Sequence, residues 1–299
     1  MYAKLFAESG LSLDRLKALV EVGAAGSIVR ATGGDPIRQS QYSRQIKELE
    51  GFFQTNLMER LGKGIRLTEN GKELARISRF FLLGLSNFQR GCLAEEQIFR
   101  IGSGSAFTQS FLIPALALSD RSRRNTRFVV ETVRDSEIER RLHDLTLDFG
   151  IVTSAALSRP LQLRDLWTWH LKLWVPRGLY KSEKAARQAF AEKTLPLVLT
   201  QGEFDLAVIA WLKDFEPQLT CANFFEALAA MKCHKLAALL PDFFPVQDSS
   251  FLSVRLEEIE AKAFTFRLAW NPRLLRLNPH ARRQRDALAQ IRDTDQAVG

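Results

Sequence analysis

The sequence predicts an α/β protein with a small all-α domain first, one long helix after it, and a larger α/β domain of two lobes. Three observations predict this arrangement. Residues 12–67 hold short helical patterns broken by turn signals, residues 68–97 keep one uninterrupted helical period, and from Ile98 onward short apolar strands alternate with helical segments. A chain of 299 residues is long enough for about two such domains.

The bulk composition excludes several classes of protein. Hydrophobic residues make up 46% and charged residues 25% of the chain, as in ordinary globular proteins. No apolar run approaches the roughly 20 residues of a membrane span, and no basic segment followed by an apolar one opens the chain. We therefore expect a cytoplasmic protein without membrane contact or secretion signal. Cys92, Cys221 and Cys233 lie far apart, which favours reduced thiols and argues against a zinc site.

The net charge of +8 suits a polyanionic partner, but its distribution points to no single region. Residues 1–97 contain 14 Lys+Arg and 11 Asp+Glu, whereas the remaining residues contain 28 and 23. The basic surplus is therefore 3 in the first part and 5 in the second. A nucleic-acid-binding domain has to be identified from its motif, because net charge alone does not locate it.

Three short helices are predicted before residue 54. Ser12 caps the first helix, Ser27 caps a second that ends at Gly33-Gly34, and Asp35-Pro36 opens the third. The apolar face of the first helix comprises Leu13, Leu16, Leu19 and Val20. The apolar face of the third helix comprises Tyr42, Ile46, Leu49 and Phe53.

The other face of the third helix indicates contacts with DNA bases. It carries Arg38, Gln41, Arg44 and Lys47, with Gln39, Ser40 and Ser43 near the helix start. Arginine can bond guanine and glutamine can bond adenine in the major groove, so the three helices fit a helix-turn-helix. The pattern alone equally fits the solvated faces of a small helical bundle.

Residues 60–68 predict a tight basic hairpin, because Gly62 and Gly64 lie between basic residues and are flanked by apolar ones. A basic hairpin directly after a helix-turn-helix is a wing, which places Lys63 and Arg66 against phosphates or in a minor groove. An ordinary turn with solvated charges is the alternative. The hairpin and the helices together are much rarer by chance than either alone.

At these residues the sequence resembles the LysR-type transcriptional regulators. The resemblance is carried by SIVRATGGDPIRQSQYSRQIKELE (residues 27–50) and ERLGKGIRLTENG (residues 59–71). The positions that match at the family's spacing are Gln39, Ser43, Arg44, Gln45, Ile46, Leu49, Glu50, Arg66, Leu67, Thr68 and Gly71.

The resemblance implies a winged helix-turn-helix over residues 8–67 that binds double-stranded promoter DNA. It places base contacts and nearby phosphate contacts on Gln39, Ser43 and Arg44, and phosphate contacts on the second helix and the wing region. Together with the face of the third helix, the expected DNA-binding residues are Ser27, Arg30, Arg38, Gln39, Gln41, Ser43, Arg44, Lys47, Lys63, Arg66 and Thr68. Thr68 equally suits the N-cap of the next helix.

Two departures from the family pattern flank the third helix. Asp35 stands where an apolar residue is usual, and Thr32-Gly33-Gly34 replaces alanine-like residues. We expect the turn before the third helix to be rebuilt around the Asp35-Pro36 cap. A rebuilt turn changes the angle of this helix and hence the DNA sequence it prefers.

The helical pattern from Thr68 to about Glu96 predicts a linker helix of about 43 Å, at 1.5 Å per residue. Its continuous apolar stripe comprises Leu74, Ile77, Phe81, Leu85, Phe88 and Cys92. A single exposed helix cannot leave such a stripe in water, so it should pair with another helix. The resemblance implies antiparallel pairing with a second copy, giving a dimer or homotetramer, with Cys92 as a packing residue.

Residues 98–299 predict an effector-binding domain. Strands at 98–102, 127–132 and 148–152 alternate with helices at 108–118 and 136–145. Further strand-like stretches lie at 162–166, 171–175, 195–199, 218–222, 236–240 and 264–270. A final helix is predicted at 279–292. The pattern resembles the two-lobed type 2 periplasmic-binding proteins, with lobe I at 98–160 and 267–299 and lobe II at 161–266.

Ligands of such folds lie between the lobes at the carboxyl ends of strands. Ser103 and Ser105 follow the first strand and precede a helix, a position that suits an anion. Thr132 closes the second strand, and Thr200 and Gln201 occupy the corresponding edge of lobe II. The resemblance implies a small effector, often a carboxylate. In the alternative interpretation, Ser103 and Ser105 only cap the helix.

Cysteines and a histidine in lobe II have competing interpretations. Cys233-His234-Lys235-Leu236 replaces a glycine-rich stretch of the family, and we expect it to narrow the cleft. His234 fits a structural or surface role better than a ligand role. Cys221 and Cys233 fall in apolar surroundings, which favours buried inert thiols over a redox switch.

The sequence as a whole predicts a sequence-specific DNA-binding transcription regulator. Its C-terminal domain would sense a small molecule and control promoter bending, with RNA polymerase as a candidate partner. One alternative is a cytoplasmic solute-binding protein of the two-lobed fold, with effector sensing lost or replaced by protein partners. Another is an enzyme on that fold, but no Ser/His/Asp grouping, phosphate loop or metal spacing is present. We therefore expect no catalytic residues, cofactor or metal site.

Overall fold

The computed structural model divides into two compact units, Met1–Glu95 and Glu96–Gly299, which are described separately. It describes residues 5, 9–61, 64–93, 96–118, 125–201, 212, 215–244, 246, 249–257 and 262–291. Within these residues, no helix combines the length and the apolar character that a membrane span requires.

The first unit begins with three helices, α1 (Leu13–Ala25), α2 (Ile28–Ala31) and α3 (Pro36–Phe53). The predicted caps are confirmed, because the hydroxyls of Ser12 and Ser27 accept the backbone N–H three residues further on, at 3.3 and 3.2 Å. Gly26 ends α1 in the left-handed region, with φ of 77°, so that the chain can turn at once into α2.

The core of this unit lies between α1 and α3. Its buried side chains include Leu16, Leu19 and Val22 of α1 and Tyr42, Ile46 and Leu49 of α3. The predicted apolar face of α3 is confirmed. The predicted face of α1 is wrong at Leu13, which is 52% exposed, because α1 turns Ala18 and Val22 toward the core instead.

The predicted hairpin is formed by β1 (Met58–Leu61) and β2 (Gly64–Leu67), which pair antiparallel. Glu59 lies opposite Arg66, and the Arg66 Nε lies 2.7 Å from the Glu59 Oε1. Gly62 and Lys63, at the tip, lie outside the described residues.

The linker helix α4 (Glu69–Cys92) ends about four residues before the predicted end near Glu96. It packs on α1, where the Arg79 guanidinium donates to the Val20 carbonyl at 3.3 Å. Part of the predicted apolar stripe is exposed to solvent within this chain, at Ile77, Phe81, Leu85 and Phe88.

The start of α4 lies directly against the residue before the wing. A Cβ on Gly71 would lie 2.2 Å from the carbonyl oxygen of Leu57, so glycine is required there. The same carbonyl accepts the Thr68 N–H at 3.0 Å. The Leu57 carbonyl therefore contacts both the residue that ends the wing's sequence, Thr68, and the first turn of the linker helix, at Gly71.

The second unit alternates strands with helices, as predicted. Its strands are β3 (Gln97–Ser103), β4 (Thr126–Thr132), β5 (Phe149–Val152), β6 (Gln162–Pro176), β7 (Leu197–Thr200), β8 (Leu219–Cys221), β9 (Ala237–Pro241), β10 (Phe251–Val254) and β11 (Ala263–Trp270). Its helices are α5 (Ser105–Phe107, continued by a π turn at Thr108–Leu112 and by Ile113–Leu118), α6 (Asp135–His143), α7 (Glu183–Ala191), α8 (Phe224–His234), α9 (Pro272–Leu277) and α10 (Pro279–Leu288).

The strands follow the order β4-β3-β5-β11-β6-β9-β7-β8, and β10 also pairs with β6. Strand β3 is parallel to β4 and β5, and β7 is parallel to β8 and β9. Between these two parallel groups, β11 and β6 run antiparallel to each other. Two α/β lobes joined by a crossing pair of strands result.

The two strands predicted at 162–166 and 171–175 are one continuous strand, β6, so that prediction is wrong. Its first part pairs with β11, and its last part pairs with β9 and β10. Because both halves find backbone partners, the chain has no reason to turn between them.

Helix α6 packs very closely on the sheet of lobe I. A Cβ on Gly102 would lie 2.5 Å from Leu147 Cδ1, and one on Gly150 would lie 2.3 Å from Ile138 Cγ2. The glycines of β3 and β5 thus let α6 approach, and fix the carboxyl ends of these strands beneath it.

We expect Gly71→Ala to destabilise the first unit by about 1–3 kcal/mol, because the new methyl group meets a backbone carbonyl that cannot move aside. Thermal and urea unfolding of the purified protein would measure the loss. Gly91→Ala is the matched control in the same helix: its Cβ meets nothing within 4 Å, so alanine should be neutral or stabilising. Equal effects of the two substitutions would contradict the close contact.

Candidate nucleic-acid and effector sites

The first turn of α3 is fixed by Asp35. Its Oδ1 accepts the N–H of Ile37 at 2.8 Å and that of Arg38 at 3.4 Å, and Pro36 takes the first helical position. Gly33 and Gly34 precede it with φ of 63° and 84°, values that favour glycine. The predicted Asp35-Pro36 cap of α3 is confirmed.

Helix α3 buries one face and presents the other to solvent. Gln41, Arg44 and Lys47 are exposed, whereas Gln39 and Ser43 are half-buried at the border of the face. The structure therefore brings these five candidate DNA contacts together on one helix. Arg30, on the short helix α2, is also exposed.

Arg38 departs from the predicted face. Its Nη2 donates to the Tyr42 hydroxyl at 3.3 Å, and its guanidinium lies 5.7 Å from the centre of the Tyr42 ring. The Tyr42 hydroxyl in turn donates to the Glu21 carboxylate of α1. Because Arg38 precedes Tyr42 by one helical turn, it shares the flank of α3 that faces α1, away from Arg44 and Lys47.

A carboxylate binds the central arginine of the outward face. The Arg44 Nε donates to Glu48 Oε1 at 3.1 Å, and Arg15 of α1 pairs with the same carboxylate. The hydrogen bond from Arg44, with the nearby charge of Arg15, lowers the pKa of Glu48. Glu48 thus stays ionised and orients the Arg44 guanidinium in the absence of DNA.

Two predicted phosphate contacts have structural roles. Ser27 caps α2, and the Thr68 hydroxyl accepts the Gly71 N–H at 3.0 Å and donates to the Asn56 carbonyl at 2.8 Å. The N-cap interpretation of Thr68 is thus confirmed. Lys63, a further predicted contact, lies outside the described residues.

The sequence reasoning missed the role of Glu50. Its Oε1 accepts the N–H of Leu57 at 2.8 Å and of Met58 at 2.9 Å, which ties the end of α3 to the beginning of the wing. The motif contained this glutamate, but its partners are seven and eight residues away, and no local pattern indicated them.

The candidate effector residues lie at the carboxyl ends of parallel strands, as predicted. Ser103 ends β3 opposite Thr132, which ends β4. Thr200 ends β7 opposite Cys221, and the Gln201 N–H donates to the Cys221 carbonyl at 2.7 Å. Each lobe therefore presents small polar residues at the same kind of edge.

The capping interpretation of Ser103 and Ser105 is wrong. The N-cap residue of α5 is Gly104, so no side chain caps this helix. The buried Ser103 hydroxyl instead donates to the Gly104 carbonyl at 3.2 Å. Thr200 is also buried, and its hydroxyl has no hydrogen-bond partner among the described residues.

The two edges meet at an aromatic cluster, here called the aromatic junction: Phe107, Phe111, Trp167, Phe243 and Phe266. Phe111 of α5 lies 4.6 Å from Trp167 of β6 and 5.0 Å from Phe243, which follows β9, between ring centres. Phe107 packs on Phe266 of β11 at 4.9 Å. The carboxyl ends of both lobes thus face each other across aromatic side chains.

The expected narrowing of this region by residues 233–236 is wrong. Cys233, His234 and Lys235 lie at the end of α8, before the amino end of β9, whereas the aromatic junction lies beyond its carboxyl end. All three are exposed, which confirms His234 as a surface histidine and contradicts a buried Cys233. Cys221 is half-buried, and burial raises the pKa of its thiol. Among the described residues, no group of three His, Cys, Asp or Glu side chains could hold a metal ion.

Comparison with known families fits both sites. Residues 13–72 match the bacterial regulatory helix-turn-helix protein, lysR family, and residues 94–292 match the LysR substrate binding domain. The chain belongs to the LysR family. It is a LysR-type DNA-binding transcription regulator with a substrate-binding effector domain. The helix-turn-helix match disfavours the solute-binding alternative.

Relatives of this LysR-type chain include an uncharacterized HTH-type transcriptional regulator, YfeR, of Shigella flexneri. It is 28% identical over 204 residues, which span 62% of this chain and 66% of the relative, just under two thirds of its length. A full-length OxyR variant from Pseudomonas aeruginosa has a TM-score of 0.66 at 15% identity, covering 95% of both chains. ArgP from Mycobacterium tuberculosis has a TM-score of 0.65 at 17% identity, covering 89% of this chain and 96% of that one. CbnR in complex with its target DNA has a TM-score of 0.52 at 16% identity, covering 91% and 99%.

We expect Thr200→Val to leave the stability of the ligand-free protein unchanged or raise it by up to about 1 kcal/mol, because it removes a buried hydroxyl without changing the shape of the side chain. Thermal unfolding would measure the change. Thr132→Val, at the exposed end of β4, is the control for the general effect of this substitution. A loss of several degrees confined to Thr200→Val would show that the hydroxyl is bonded in the folded chain.

Proposed function

We propose that this regulator binds operator DNA through α3, with the wing on the flanking backbone. The observation that carries this proposal is the division of α3 into a buried face and an outward face bearing Gln41, Arg44 and Lys47. A helix with one such polar face, on a compact three-helix support, fits the width of the major groove.

The roles of individual residues follow from their placement. Gln39, Gln41, Ser43 and Arg44 would contact bases and nearby phosphates, and Lys47, one turn beyond Ser43, would contact a phosphate. Arg38, on the α1 flank, would reach only the backbone beside the groove. Flanking phosphate contacts would come from Ser27, Arg30, Lys63, Arg66 and Thr68.

The regulator would act as a dimer formed by α4. Phe88 is 74% exposed, and Ile77, Phe81 and Leu85 continue the same stripe. Burying these side chains against a second copy would remove a large apolar surface from water. A symmetric dimer carries two copies of α3 to two half-sites of an operator, and effector domains would extend it to a tetramer.

The second unit would sense a small effector, which we infer to be anionic. The effector would bind between Ser103, Ser105 and Thr132 of lobe I, at residues 98–160 and 267–299, and the edge of lobe II, at residues 161–266, that carries Thr200 and Gln201. Support comes from the buried hydroxyl of Thr200 and from two strand edges that meet at the aromatic junction. An effector that prefers one lobe angle would shift the spacing of the DNA-binding units and so the bending of the promoter.

RNA polymerase would then respond to the altered promoter in the cytoplasm. The proposal assigns no catalytic step to the chain. The small basic surplus of residues 1–97 fits this proposal, because DNA recognition depends on a few arginines and lysines at specific positions and not on a large net charge.

We expect two arginine variants to separate base reading from phosphate binding in salt-dependent gel shifts. Arg44→Ala should reduce the preference for the operator over random DNA about tenfold, because its guanidinium faces base edges. Arg66→Ala should weaken binding to all DNA and lower the slope of log affinity against log salt by about 0.9, because one phosphate contact is lost.

Lys232→Ala, an exposed change in the second unit, serves as the control. The proposal is contradicted if the full-length protein binds no DNA at low salt. Equal effects of Arg44→Ala and Arg66→Ala would show that α3 is not the reader.

We expect Phe88→Asp to weaken self-association about tenfold or more, because a charge replaces an aromatic side chain that the partner would bury. Sedimentation velocity over a concentration series would measure it. Asn87→Asp adds the same charge on a different face of α4 and should leave association nearly unchanged. An unaltered oligomeric state in Phe88→Asp would remove the stripe from the interface.

A further inference from the structure

The most exposed large hydrophobic side chain among the described residues lies in the first turn of α3. Ile37 is 81% exposed, more than Phe88 on the linker stripe. Leaving an isoleucine in water contributes nothing to the stability of the fold, because its apolar surface is not buried. It occupies the second position of α3, directly after Pro36, in the part of a recognition helix that points into the groove.

The Asp35 carboxylate determines which part of the DNA the first turn of α3 can contact. Helix amino ends usually attract phosphates, through unsatisfied N–H groups and the helix dipole. Here the Asp35 carboxylate already accepts the N–H groups of Ile37 and Arg38, and its negative charge opposes a phosphate. The backbone N–H groups at the amino end of α3 are therefore not available to a phosphate, and only the long Arg38 side chain, on the α1 flank, can reach the DNA backbone from this turn.

Base edges remain as the surface for this turn when α3 lies in the major groove. The Ile37 side chain has no donor or acceptor, so it can recognise only an apolar feature. In the major groove that feature is the C5 methyl group of thymine. Backbone anchoring falls to the basic residues further along α3 and to the wing.

We propose that Ile37 is a specificity-determining residue that packs on the methyl group of one thymine in each half-site. This inference rests on the proposed role of α3 as the reader of the major groove. It concerns a residue two positions before Gln39, the first of the positions that match the family's spacing. Asp35 supports the contact by keeping phosphates away from this turn.

The test replaces single methyl groups in the DNA. An operator is first selected from a random library with the full-length protein. Each thymine of this operator is then replaced, one at a time, by deoxyuridine, which removes only the methyl group. We expect one position per half-site at which the wild-type protein binds about fourfold more weakly, the effect of losing one buried methyl group.

Ile37→Ala should bind thymine and deoxyuridine equally at that position, while its response to all other replacements stays as in the wild type. Ile37→Val, which keeps a branched side chain, should retain part of the difference. Leu13→Ala is the matched control: Leu13 is 52% exposed in the first turn of α1, and its loss should leave the wild-type pattern intact.

Three results would overturn the inference: no position shows a deoxyuridine penalty, the penalty persists in Ile37→Ala, or Ile37→Ala binds every duplex like the wild type. The last result would point to a protein partner for Ile37. The proposed function is tested separately, because Arg44→Ala would still relax operator preference if only the Ile37 inference failed. Absence of any DNA binding would remove both.

Discussion

The backbone of Leu57 is the point on which the first unit depends. Its N–H donates to Glu50 at the end of α3, and its carbonyl accepts the Thr68 N–H and touches Gly71 at the start of α4. The backbone of one residue thus joins α3, the wing and α4. With the Leu57 side chain 1% exposed, this junction is held by both burial and hydrogen bonds. The direction of α3 is thereby fixed relative to α4, which carries the exposed apolar stripe.

Local signals in the sequence predicted local structure well. The sequence predicts Ser12, Ser27 and Asp35 as helix caps, and offers the cap as one of two roles for Thr68, because a cap depends only on the next three residues. Failures came where distant pairing decides. The sequence predicts two strands in place of β6 because the continuity of β6 depends on β11, about a hundred residues later. The predicted face of α1 is wrong at Leu13 because tertiary packing buries Ala18 and Val22 instead.

The candidate sites divide in the same way. The motif placed Arg44 and Lys47 on the outward face of α3, but it gave no reason for Glu50 or Gly71. The structure supplies that reason in the contacts with Leu57. The carboxylates that hold the arginines were also missed: Glu48 binds Arg44, and Glu59 binds Arg66. A guanidinium has five donors, so each arginine can keep its glutamate and still bond a base or phosphate. These pairs explain how a domain with a small basic surplus can carry oriented DNA contacts.

The separation between the two faces of α3 has an evolutionary consequence. Side chains such as Ile37, Gln41 and Lys47 face solvent, whereas the contacts that hold α3 in place come from Asp35, Glu50 and the buried face. Under the proposed function, mutations on the outward face would change the free energy of DNA binding with little change in the free energy of folding. Operator preference would then drift, one side chain at a time, in copies of this gene that remain folded. New regulons can arise along such a path without a compensating change in the core.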